Sequence, residues 1–571
     1  MRVIATAGHV DHGKSTLVLA LTGTDPDRFE EEKRRGLTID LGFASTELPS
    51  GAGISFIDVP GHVRFLRNML AGVGAIDACL FVVAATEGWK PQSEEHLRIL
   101  ELLGVGHGVI ALTKVDLVDD EWRDIAVLEV ADHVAGTFLE GAPIVPVAAA
   151  DPLLLDDLRA ALDLLVAATP AARDSGRPRM WVDRSFAAKG SGTVVTGTLT
   201  GGSLHVDDRV NVGLRRGEVR VRSIQSLGRT LPSIGAGNRV ALNLSGIEHA
   251  EVQRGDAVVH RDQWLPTKRF DASLHVLGRL DHDVSRRGAY VAYIGAGEFN
   301  VRVRVLGDQA IQPGQAGMVR LHLRHDLPLL PGDRYILRES GRSETVGGGE
   351  VLDIHPVLPA SKARPDRDEA RLLRERGWVS TDHWVRLTGE QRPATIGHWL
   401  VDPAALEAVT ASMQQRVTAA GSLGLDVASL GEHERAALAT VAGVVISNGV
   451  ARVATDCDPL DDHPFVAALL AASFSPPDAA GVDRGELRQL VRRGLVVERD
   501  GVCFHSMTID AAALVAARLL AEHPDGFTVA EFRDATGSTR KHALPLVAEL
   551  DSRGITRRRD DRRIAGPRLA S

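Results

Sequence analysis

The sequence predicts a multidomain protein with an α/β domain at its amino end, two β-barrel domains in the middle and a mainly α region at its carboxyl end. Three observations predict this order. Apolar strands alternate with helical patterns over residues 1–168, short alternating strands with turn signals occupy residues 179–262 and 266–355, and amphipathic helices dominate residues 366–571. A chain of 571 residues is also too long to fold around one hydrophobic core.

The composition is typical of a globular protein in a reducing compartment. No apolar run approaches the roughly 18 residues of a membrane span, and no signal peptide precedes the first strand, so we expect a cytoplasmic protein that does not engage a membrane. Cys79, Cys457 and Cys503 lie far apart and lack metal-ligand spacing, which favours buried thiols over disulfides. The net charge of −9 is no global sign of nucleic-acid binding, so any basic binding surface must be local.

A glycine-rich segment near the amino end has the sequence context of a phosphate-binding loop. The apolar run 3–7 precedes it and the helical pattern 16–21 follows it, so the loop lies between a strand and a helix. Backbone N–H groups of such a loop face an anion, and the lysine adds positive charge for the β- and γ-phosphates. The alternative is a glycine-rich turn with a chance Lys-Ser pair. The predicted phosphate-binding residues are Gly8, His9, Val10, Asp11, His12, Gly13, Lys14, Ser15 and Thr16.

Four further apolar runs predict strands that are buried on both faces of a parallel sheet. They cover residues 55–58, 78–83, 108–112 and 143–147. In a doubly wound α/β domain the ligand lies at the carboxyl ends of the strands. Residues with a role in binding are therefore expected directly after these runs.

Two segments are expected to surround a metal ion and a γ-phosphate. Asp58-Val59-Pro60-Gly61-His62 follows the first of these runs, where the carboxylate can hold Mg²⁺ through water and the Gly61 N–H can meet the phosphate. The polar segment 35–40 contains Thr38, whose hydroxyl and carbonyl can close over both, as in a switch that one nucleotide orders and the other releases. The predicted Mg²⁺ ligands are Ser15, Thr38 and, through water, Asp58.

The segment Thr113-Lys114-Val115-Asp116 predicts recognition of a guanine base. Its carboxylate can accept hydrogen bonds from the guanine N1–H and 2-amino groups, a donor pair that adenine lacks. Each motif is ordinary by itself, but all of them in order on successive strands predict GTP binding. Thr113, Lys114 and Asp116, together with Ala148 and Ala149 after the last strand, complete the predicted GTP site.

These motifs resemble those of the translational GTPases. The resemblance implies that His62 positions the water that attacks the γ-phosphate once the ribosome orders it; the alternative for a single histidine is a satisfied surface or core residue. Two positions depart from most relatives, because Thr113 stands where asparagine is usual and Ala148 where serine is usual. Threonine at the first position is associated with one subfamily, the selenocysteine-specific elongation factors.

The two barrels also resemble those of elongation factor Tu and its relatives, in which they grip an aminoacyl-tRNA together with the GTPase domain. The resemblance implies an aminoacyl pocket at Asp183, Arg184 and Arg239. A selenol is far more acidic than a thiol, so two guanidiniums beside it would favour a selenolate over serine or cysteine. The alternative is that both arginines form ordinary salt bridges.

The carboxyl-terminal region contains a weak internal repeat of a helix end, a strand, a tight turn and a returning strand. Residues 490–501 match residues 550–561 in pattern, and residues 443–450 form a fainter copy. This is the winged-helix arrangement, with the last module at about residues 509–571. The number of complete modules stays open because the first two are degenerate.

The last module carries a cluster of basic residues at the start of its second helix and in its wing. Such a cluster suits a phosphate backbone, and its alternative is a solvated face. By resemblance, these modules hold a selenoprotein mRNA hairpin beside a UGA codon. Pro545 within the helix has no sequence-level explanation. The predicted RNA-binding residues are Arg540, Lys541, His542, Arg557, Arg558, Arg559, Arg562 and Arg563.

The sequence is thus interpreted as a monomeric selenocysteine-specific elongation factor. The resemblance implies GTP and Mg²⁺ as ligands, selenocysteyl-tRNA, the mRNA hairpin and the ribosome as partners, and GTP hydrolysis as the reaction. Three alternatives stay open: a tRNA-carrying GTPase of the elongation factor Tu or initiation type, a metabolic GTPase like the large subunit of sulfate adenylyltransferase, and a DNA-binding regulator with a GTPase switch.

Overall fold

The computed structural model describes residues 1–26, 41–59, 76–188, 192–214, 217–260, 262–342, 344–454, 460 and 462–569. The chain divides into two compact units, Met1–Asp402 and Pro403–Ser571. Thr38, Gly61 and His62, the three predicted site residues nearest the γ-phosphate, lie outside the described residues.

The first unit begins with an α/β domain. Its sheet has the strand order β2-β3-β1-β4-β5-β6, in which β2 is antiparallel to β3 and the other pairs are parallel. Every residue of β4 is buried, because helices cover both faces of the sheet. The continuous apolar run at residues 78–83 predicted such a strand. The elements are β1 Arg2–Ala7, α1 Lys14–Thr22, β2 Gly42–Glu47, β3 Gly53–Asp58, β4 Ala78–Ala84, α2 Pro91–Leu102, β5 Gly108–Thr113, α3 Asp120–Val134, β6 Ile144–Pro146 and α4 Pro152–Ala168, with a 3-10 turn at Val115–Leu117.

The second domain of the first unit is a β-barrel. Its strands follow the order β11-β16-β7-β9-β15-β12-β13, and a further pairing of β11 with β12 joins the path into a ring around an apolar core. The strands are β7 Arg179–Trp181, β8 Arg184–Ala188, β9 Gly192–Thr200, β10 Leu204–His205, β11 Arg209–Val212, β12 Val219–Ser226, β13 Arg229–Leu231, β14 Ser233–Ile234, β15 Asn238–Ser245 and β16 Ala257–His260, with a 3-10 turn at His249–Glu251.

The third domain is a closed barrel with the strand order β17-β22-β20-β19-β23-β24. Alternation of inward apolar and outward polar residues is clear in β20, where burial follows every second residue from Val301 to Val303. The strands are β17 Pro266–Val276, β18 Val284–Ser285, β19 Tyr290–Ile294, β20 Gly297–Leu306, β21 Ala310–Ile311, β22 Ala316–Pro328, β23 Arg334–Glu339 and β24 Glu344–Asp353.

A small helix–hairpin module completes the first unit. It consists of α5 Glu369–Arg376, β25 Trp378–Ser380, α6 Thr381–Thr388 and β26 Trp399–Val401 around a core that includes the fully buried Trp384. Arg177 ties this module to the barrels, because its guanidinium donates to the carbonyl oxygens of Val385 at 2.7 Å and Gln263 at 2.5 Å. Burial lowers the pKa of Arg177 to about 10.

The described part of the second unit contains three β-hairpins, each preceded by helices. Asn448, Asp500 and Asp560 each have a positive φ at the hairpin turn, the backbone conformation that tight two-residue turns require. The three hairpins confirm the predicted repeat. The elements are α7 Pro403–Ala420, β27 Leu425–Asp426, α8 Glu432–Leu438, β28 Val444–Ser447, β29 Val450–Val453, α9 Pro464–Ala472, α10 Arg484–Arg492, β30 Val496–Arg499, β31 Val502–His505, α11 Ser506–Glu522, β32 Phe527–Thr528, α12 Val529–Thr536, α13 Arg540–Ser552, β33 Thr556–Arg559 and β34 Arg562–Ala565, with 3-10 turns at Gly421–Leu423, Val427–Ser429 and Ala479–Gly481.

Within the described part of the chain, no helix combines the length and apolar character that crossing a membrane would need.

Candidate functional site

The loop between β1 and α1 has a backbone that only glycine permits at two positions. Gly8 has a φ of +130°, and a Cβ there would lie 2.1 Å from the carbonyl oxygen of Val82 in β4. Gly13 has a φ of 87° and caps α1 without a side-chain hydrogen bond to the helix. Gly13 therefore does not cap the first N–H groups of α1. A helix start that binds an anion requires N–H groups that no side chain of the N-cap residue occupies.

Four polar side chains meet at the loop: Thr6 of β1, Asp58 at the end of β3, and Lys14 and Ser15 at the start of α1. The ammonium group of Lys14 is nearly buried and donates to the carbonyl oxygens of Gly8 at 3.1 Å and His9 at 2.7 Å, which holds its charge inside the loop. Ser15 Oγ donates to Asp58 Oδ2 at 2.7 Å, and Thr6 Oγ1 donates to Asp58 Oδ1 at 2.6 Å. The carboxylate is therefore fixed beside the serine hydroxyl.

Helix α2 supports the loop through two residues that the sequence analysis did not single out. Gly8 N–H donates to His96 Nδ1 at 3.1 Å, and Val10 N–H donates to Gln92 Oε1 at 3.2 Å. Gln92 and His96 are four residues apart, so they share one helix face. Burial, with a smaller contribution from the charge of Lys14, lowers the pKa of His96 to about 3. The imidazole is consequently neutral and accepts the Gly8 N–H.

The sequence signal for these contacts to the loop was the spacing of Gln92 and His96, two polar residues on the same face of a helix. His96 is only 1% exposed, in a helix whose other buried side chains include Leu97, Ile99 and Leu100. Buried polar side chains in such a setting require a partner.

Thr113 links the base-recognition segment to the phosphate loop. Its hydroxyl donates to the carbonyl oxygen of His12 at 2.7 Å and lies 3.3 Å from that of Val83. His12 is fully buried, and burial lowers its pKa to about 4. A threonine hydroxyl therefore supplies a direct contact to the loop at the position where most translational GTPases carry asparagine.

The predicted guanine-binding residues lie at the ends of β5 and β6. Lys114 has a φ of 59° and its ammonium lies 3.2 Å from Glu87 Oε1. Asp116 follows in the 3-10 turn and is exposed. Ala148 is buried and Ala149 exposed after the end of β6. All four lie at the same edge of the sheet as the phosphate loop, because β1, β4, β5 and β6 are parallel.

The donors around Asp58 fit a magnesium ion. Mg²⁺ prefers oxygen ligands and is commonly held by one or two protein groups together with substrate phosphates. Ser15 Oγ and the Asp58 carboxylate are such groups and already lie within hydrogen-bond distance of each other. Both groups lie at the carboxyl edge of the sheet, beside the phosphate loop.

The predicted aminoacyl pocket contains a buried ion pair. Arg239 donates to Asp183 through both guanidinium nitrogens, at 2.6 and 3.0 Å, and Thr196 Oγ1 donates to the same carboxylate at 2.6 Å. The side chains of Arg239 and Asp183 are only 12% and 6% exposed. The salt bridge that the sequence left as the alternative is therefore present for Arg239.

Phe43 of β2 joins this pocket to the α/β domain. The guanidinium carbons of Arg239 and Arg184 lie 3.5 Å and 4.4 Å from the centre of its ring, as in cation–π pairs. Arg184 also donates to the carbonyl oxygen of Leu41. A segment that directly follows the predicted switch 35–40 thus contacts both arginines.

The basic residues of the last winged helix fall into two groups. Arg540 and Lys541 are exposed at the start of α13, and His542 Nδ1 lies 3.3 Å from the Thr539 hydroxyl; burial, with a smaller effect of Lys541, lowers the pKa of His542. The exposed wing arginines are Arg557, Arg558, Arg559 and Arg562, the last of which donates to the Gly526 carbonyl at 2.5 Å.

Arg563 differs from the other wing arginines because it is buried. Its guanidinium lies 3.3 Å from Asp551 Oδ2 in α13. Arg563 therefore stabilises the packing of the hairpin on the helix and adds no charge to the exposed surface. Pro545 is also buried, within α13, next to Leu546 and Val547 of the module's core.

Three family models match parts of the chain. The model described as "Elongation factor Tu GTP binding domain" matches residues 1–170. "Selenocysteine-specific elongation factor, beta-barrel domain" matches residues 263–357, and "Elongation factor SelB, winged helix" matches residues 518–565.

Similar proteins agree with these matches. Elongation factor Tu 2 of Streptomyces avermitilis is 33% identical over 385 residues, which cover 62% of this chain and 96% of that protein. The selenocysteine-specific elongation factor of Desulfomicrobium baculatum is 38% identical over 351 residues, which cover 62% of this chain and 55% of that protein. A crystal structure of the bacterial selenocysteine-specific elongation factor EF-Sec matches with a TM-score of 0.72 and 26% identity over 99% of both chains.

This chain belongs to the elongation factor Tu family of translational GTPases, and its second barrel and last winged helix match models of selenocysteine-specific elongation factors. The family matches cover the phosphate loop, the second barrel and the last winged helix, three regions of different fold. The chain spans 55% of the length of the Desulfomicrobium selenocysteine-specific elongation factor.

Proposed function

We propose that this chain is a translation factor that binds GTP with Mg²⁺ and carries selenocysteyl-tRNA to the ribosome at UGA codons marked by an mRNA hairpin. It hydrolyses GTP when the ribosome accepts the tRNA, and it acts as a cytoplasmic monomer. The observation that carries the proposal is the meeting of Lys14, Ser15, Asp58 and Thr113 at one edge of the sheet.

GTP hydrolysis needs positioning and charge stabilisation more than covalent chemistry. Lys14 supplies positive charge for the β- and γ-phosphates, and the N–H groups at the start of α1 bind the phosphate oxygens. His62 orients the attacking water. Ser15 and Asp58 would hold Mg²⁺, which would neutralise negative charge on the phosphates.

Binding of the aminoacyl group involves Arg184, Arg239 and Asp183. Asp183 forms an ion pair with Arg239, and Arg184 provides a second guanidinium for a selenolate. The contacts of Arg184 include the Leu41 carbonyl and the Phe43 ring, both in the segment after the predicted switch. We infer that rearrangement of this segment on GTP binding frees Arg184 for the aminoacyl group.

The carboxyl-terminal winged helix binds the mRNA hairpin through phosphates. Arg540 and Lys541 at the start of α13 and the exposed wing arginines form one basic surface. A-form RNA has a deep, narrow major groove, so recognition relies on backbone shape and on bases in the loop.

A filter-binding comparison of selenocysteyl-, seryl- and cysteinyl-tRNA in the presence of GTP tests the proposal. We expect the selenocysteyl form to bind most tightly and Arg184→Gln to reduce this preference. Arg220→Gln is the matched control, because Arg220 is an exposed arginine on the same barrel, paired with Asp207. Equal binding of all three tRNAs by the unmodified chain would contradict the proposed substrate.

A further inference from the structure

An open cleft of about 1010 Å³ lies between the second barrel and the helix–hairpin module of the first unit. Its barrel wall includes Lys268, Arg269, Arg302 and His322, and its other wall includes Arg376 and His383. Both walls therefore carry basic side chains. None of the sites described above uses this cleft.

The barrel wall contains a row of three basic residues on adjacent strands. Arg269 of β17 and Arg302 of β20 both pair in register with His322 of β22, which lies between them. The two guanidinium groups repel each other across the strand that carries His322. An anion bound beside the row would reduce this repulsion.

The neighbouring row of residues on the same strands contains an arginine whose charge is neutralised by a carboxylate. Two residues further along β22, the buried Arg320 pairs with Asp271 at 2.6 and 2.8 Å. Within the described residues, neither Arg269 nor Arg302 has an ion pair; Arg269 donates only to the Pro356 carbonyl, at 2.9 Å. The row that faces the cleft lacks the carboxylate that its neighbour has.

The two carboxylates that line the cleft do not pair with Arg269 or Arg302. Asp326 lies 3.5 Å from Lys268, and Glu375 lies 3.0 Å from Arg371. Both are therefore engaged with other cations. The positive charge of Arg269 and Arg302 is left for a ligand.

The pKa values of two histidines in the cleft are consistent with a positive local potential. Burial, followed by the charges of Arg269 and Arg302, lowers the pKa of His322. On the opposite wall, burial followed by the charges of Arg386, His355 and Arg376 lowers the pKa of His383. Cations thus dominate the field on both sides of the cleft.

The lining of the cleft favours a nucleic-acid strand over a small anion. Basic side chains lie on both the barrel wall and the module wall, and the lining of the module wall includes Trp378, whose ring packs edge-on against Trp399. Basic grooves with an aromatic side chain are typical of sites that follow a phosphate backbone.

We propose that this cleft is an additional RNA-binding site, in which the Arg269–His322–Arg302 row binds backbone phosphates. The inference rests on the proposed function in that RNA is the polyanion the chain handles. It is separate from the arginine-rich wing and from the aminoacyl pocket.

Salt-dependent binding of the full chain to two RNA probes tests the proposal. The probes are the aminoacylated tRNA with GTP and the mRNA hairpin, each titrated against wild type, Arg269→Gln, Arg302→Gln and Arg304→Gln. Arg304 is the matched control, because it is exposed on the same strand as Arg302 and does not line the cleft. Binding of a GTP analogue by every variant verifies that the α/β domain is folded, and a retained thermal transition verifies the barrel.

We expect Arg269→Gln and Arg302→Gln each to weaken binding of one RNA about three- to tenfold and to reduce the slope of log K against log salt by about 1. The probe that loses affinity identifies the RNA that occupies the cleft. Arg304→Gln should leave affinity and slope unchanged.

Unchanged affinity and slope for both probes in folded Arg269→Gln and Arg302→Gln would overturn the cleft assignment and leave the proposed function intact. Tripolyphosphate serves as a small-anion probe. If Arg269→Gln and Arg302→Gln weakened its binding but left RNA binding unchanged, the cleft would be a small-anion site and the RNA assignment would be overturned. Failure of the wild-type chain to bind either RNA would refute the proposed function and, with it, the inference.

Discussion

Two buried histidines are expected to make the α/β domain lose stability as the pH falls below neutrality. His12 and His96 are 0% and 1% exposed, and burial lowers their pKa values to about 4 and about 3 from an ordinary value of 6.5. Above pH 6.5 the imidazoles are neutral in both the folded and the unfolded chain. Between pH 6.5 and the folded pKa values, protons bind only to the unfolded chain, so stability is progressively lost.

The size of this loss follows from the pKa differences. At pH 5.5, one unit below the ordinary pKa, each histidine lowers the free energy of unfolding by about 1.4 kcal/mol, and the two together by about 3 kcal/mol. Peptide-resolved hydrogen exchange of β4, whose residues are all buried, measures the stability of this domain without interference from the barrels. Protection factors corrected for intrinsic exchange should fall between pH 7.5 and 5.5.

A variant that cannot titrate separates the histidines from the carboxylates. His96→Gln keeps a hydrogen-bond acceptor for the Gly8 N–H and removes one of the two ionisable groups, so the acid-induced loss should shrink by about half. If the variant lost as much protection as the wild type, the assignment of the effect to His96 would be refuted. His133, an exposed histidine of the same domain, provides the control His133→Gln, which should behave as wild type.

Three further predictions concern other contacts. Thr113→Ala removes the hydroxyl donated to the loop and should weaken binding of a fluorescent GTP analogue about fivefold, whereas Thr113→Ser should not. Asp271→Asn leaves the buried Arg320 without its carboxylate and should destabilise the second barrel by roughly 3–5 kcal/mol in chemical unfolding; a loss below 1 kcal/mol would contradict this. Arg559→Gln should reduce the salt slope of hairpin binding, while Arg563→Gln should mainly lower the melting temperature of the second unit; the reverse pattern would contradict the division of the wing.

The elements that could be predicted from the sequence are those with a local physical cause. The buried strands of the α/β domain were predictable because a strand covered on both faces must be apolar throughout, as β4 is. The hairpins of the second unit were predictable because Asn448-Gly449 and Asp500-Gly501 supply the backbone conformations of tight turns.

The contacts that could not be predicted join residues far apart in the chain. Gly8 and His96 are 88 residues apart, and Leu41 and Arg184 are 143 apart, so no local periodicity relates them. The same holds for the wing, where a run of arginines gives no indication that Arg563 is buried against Asp551 while Arg559 is exposed. Charge patterns predict that a surface is basic, but only packing decides which of its side chains reach a partner.

The division between Asp402 and Pro403 has a consequence for how the chain would search for its codon. Strand β26 ends at Val401 and helix α7 begins at Pro403, so a single residue separates the last strand of the first unit from the first helix of the second. Under the proposed function, an mRNA bound by the second unit would be tethered to the unit proposed to carry the tRNA, and the encounter would become intramolecular. Effective concentrations for such short tethers are of the order of millimolar. Delivery would then depend on local concentration at the marked codon more than on the abundance of the factor in the cell.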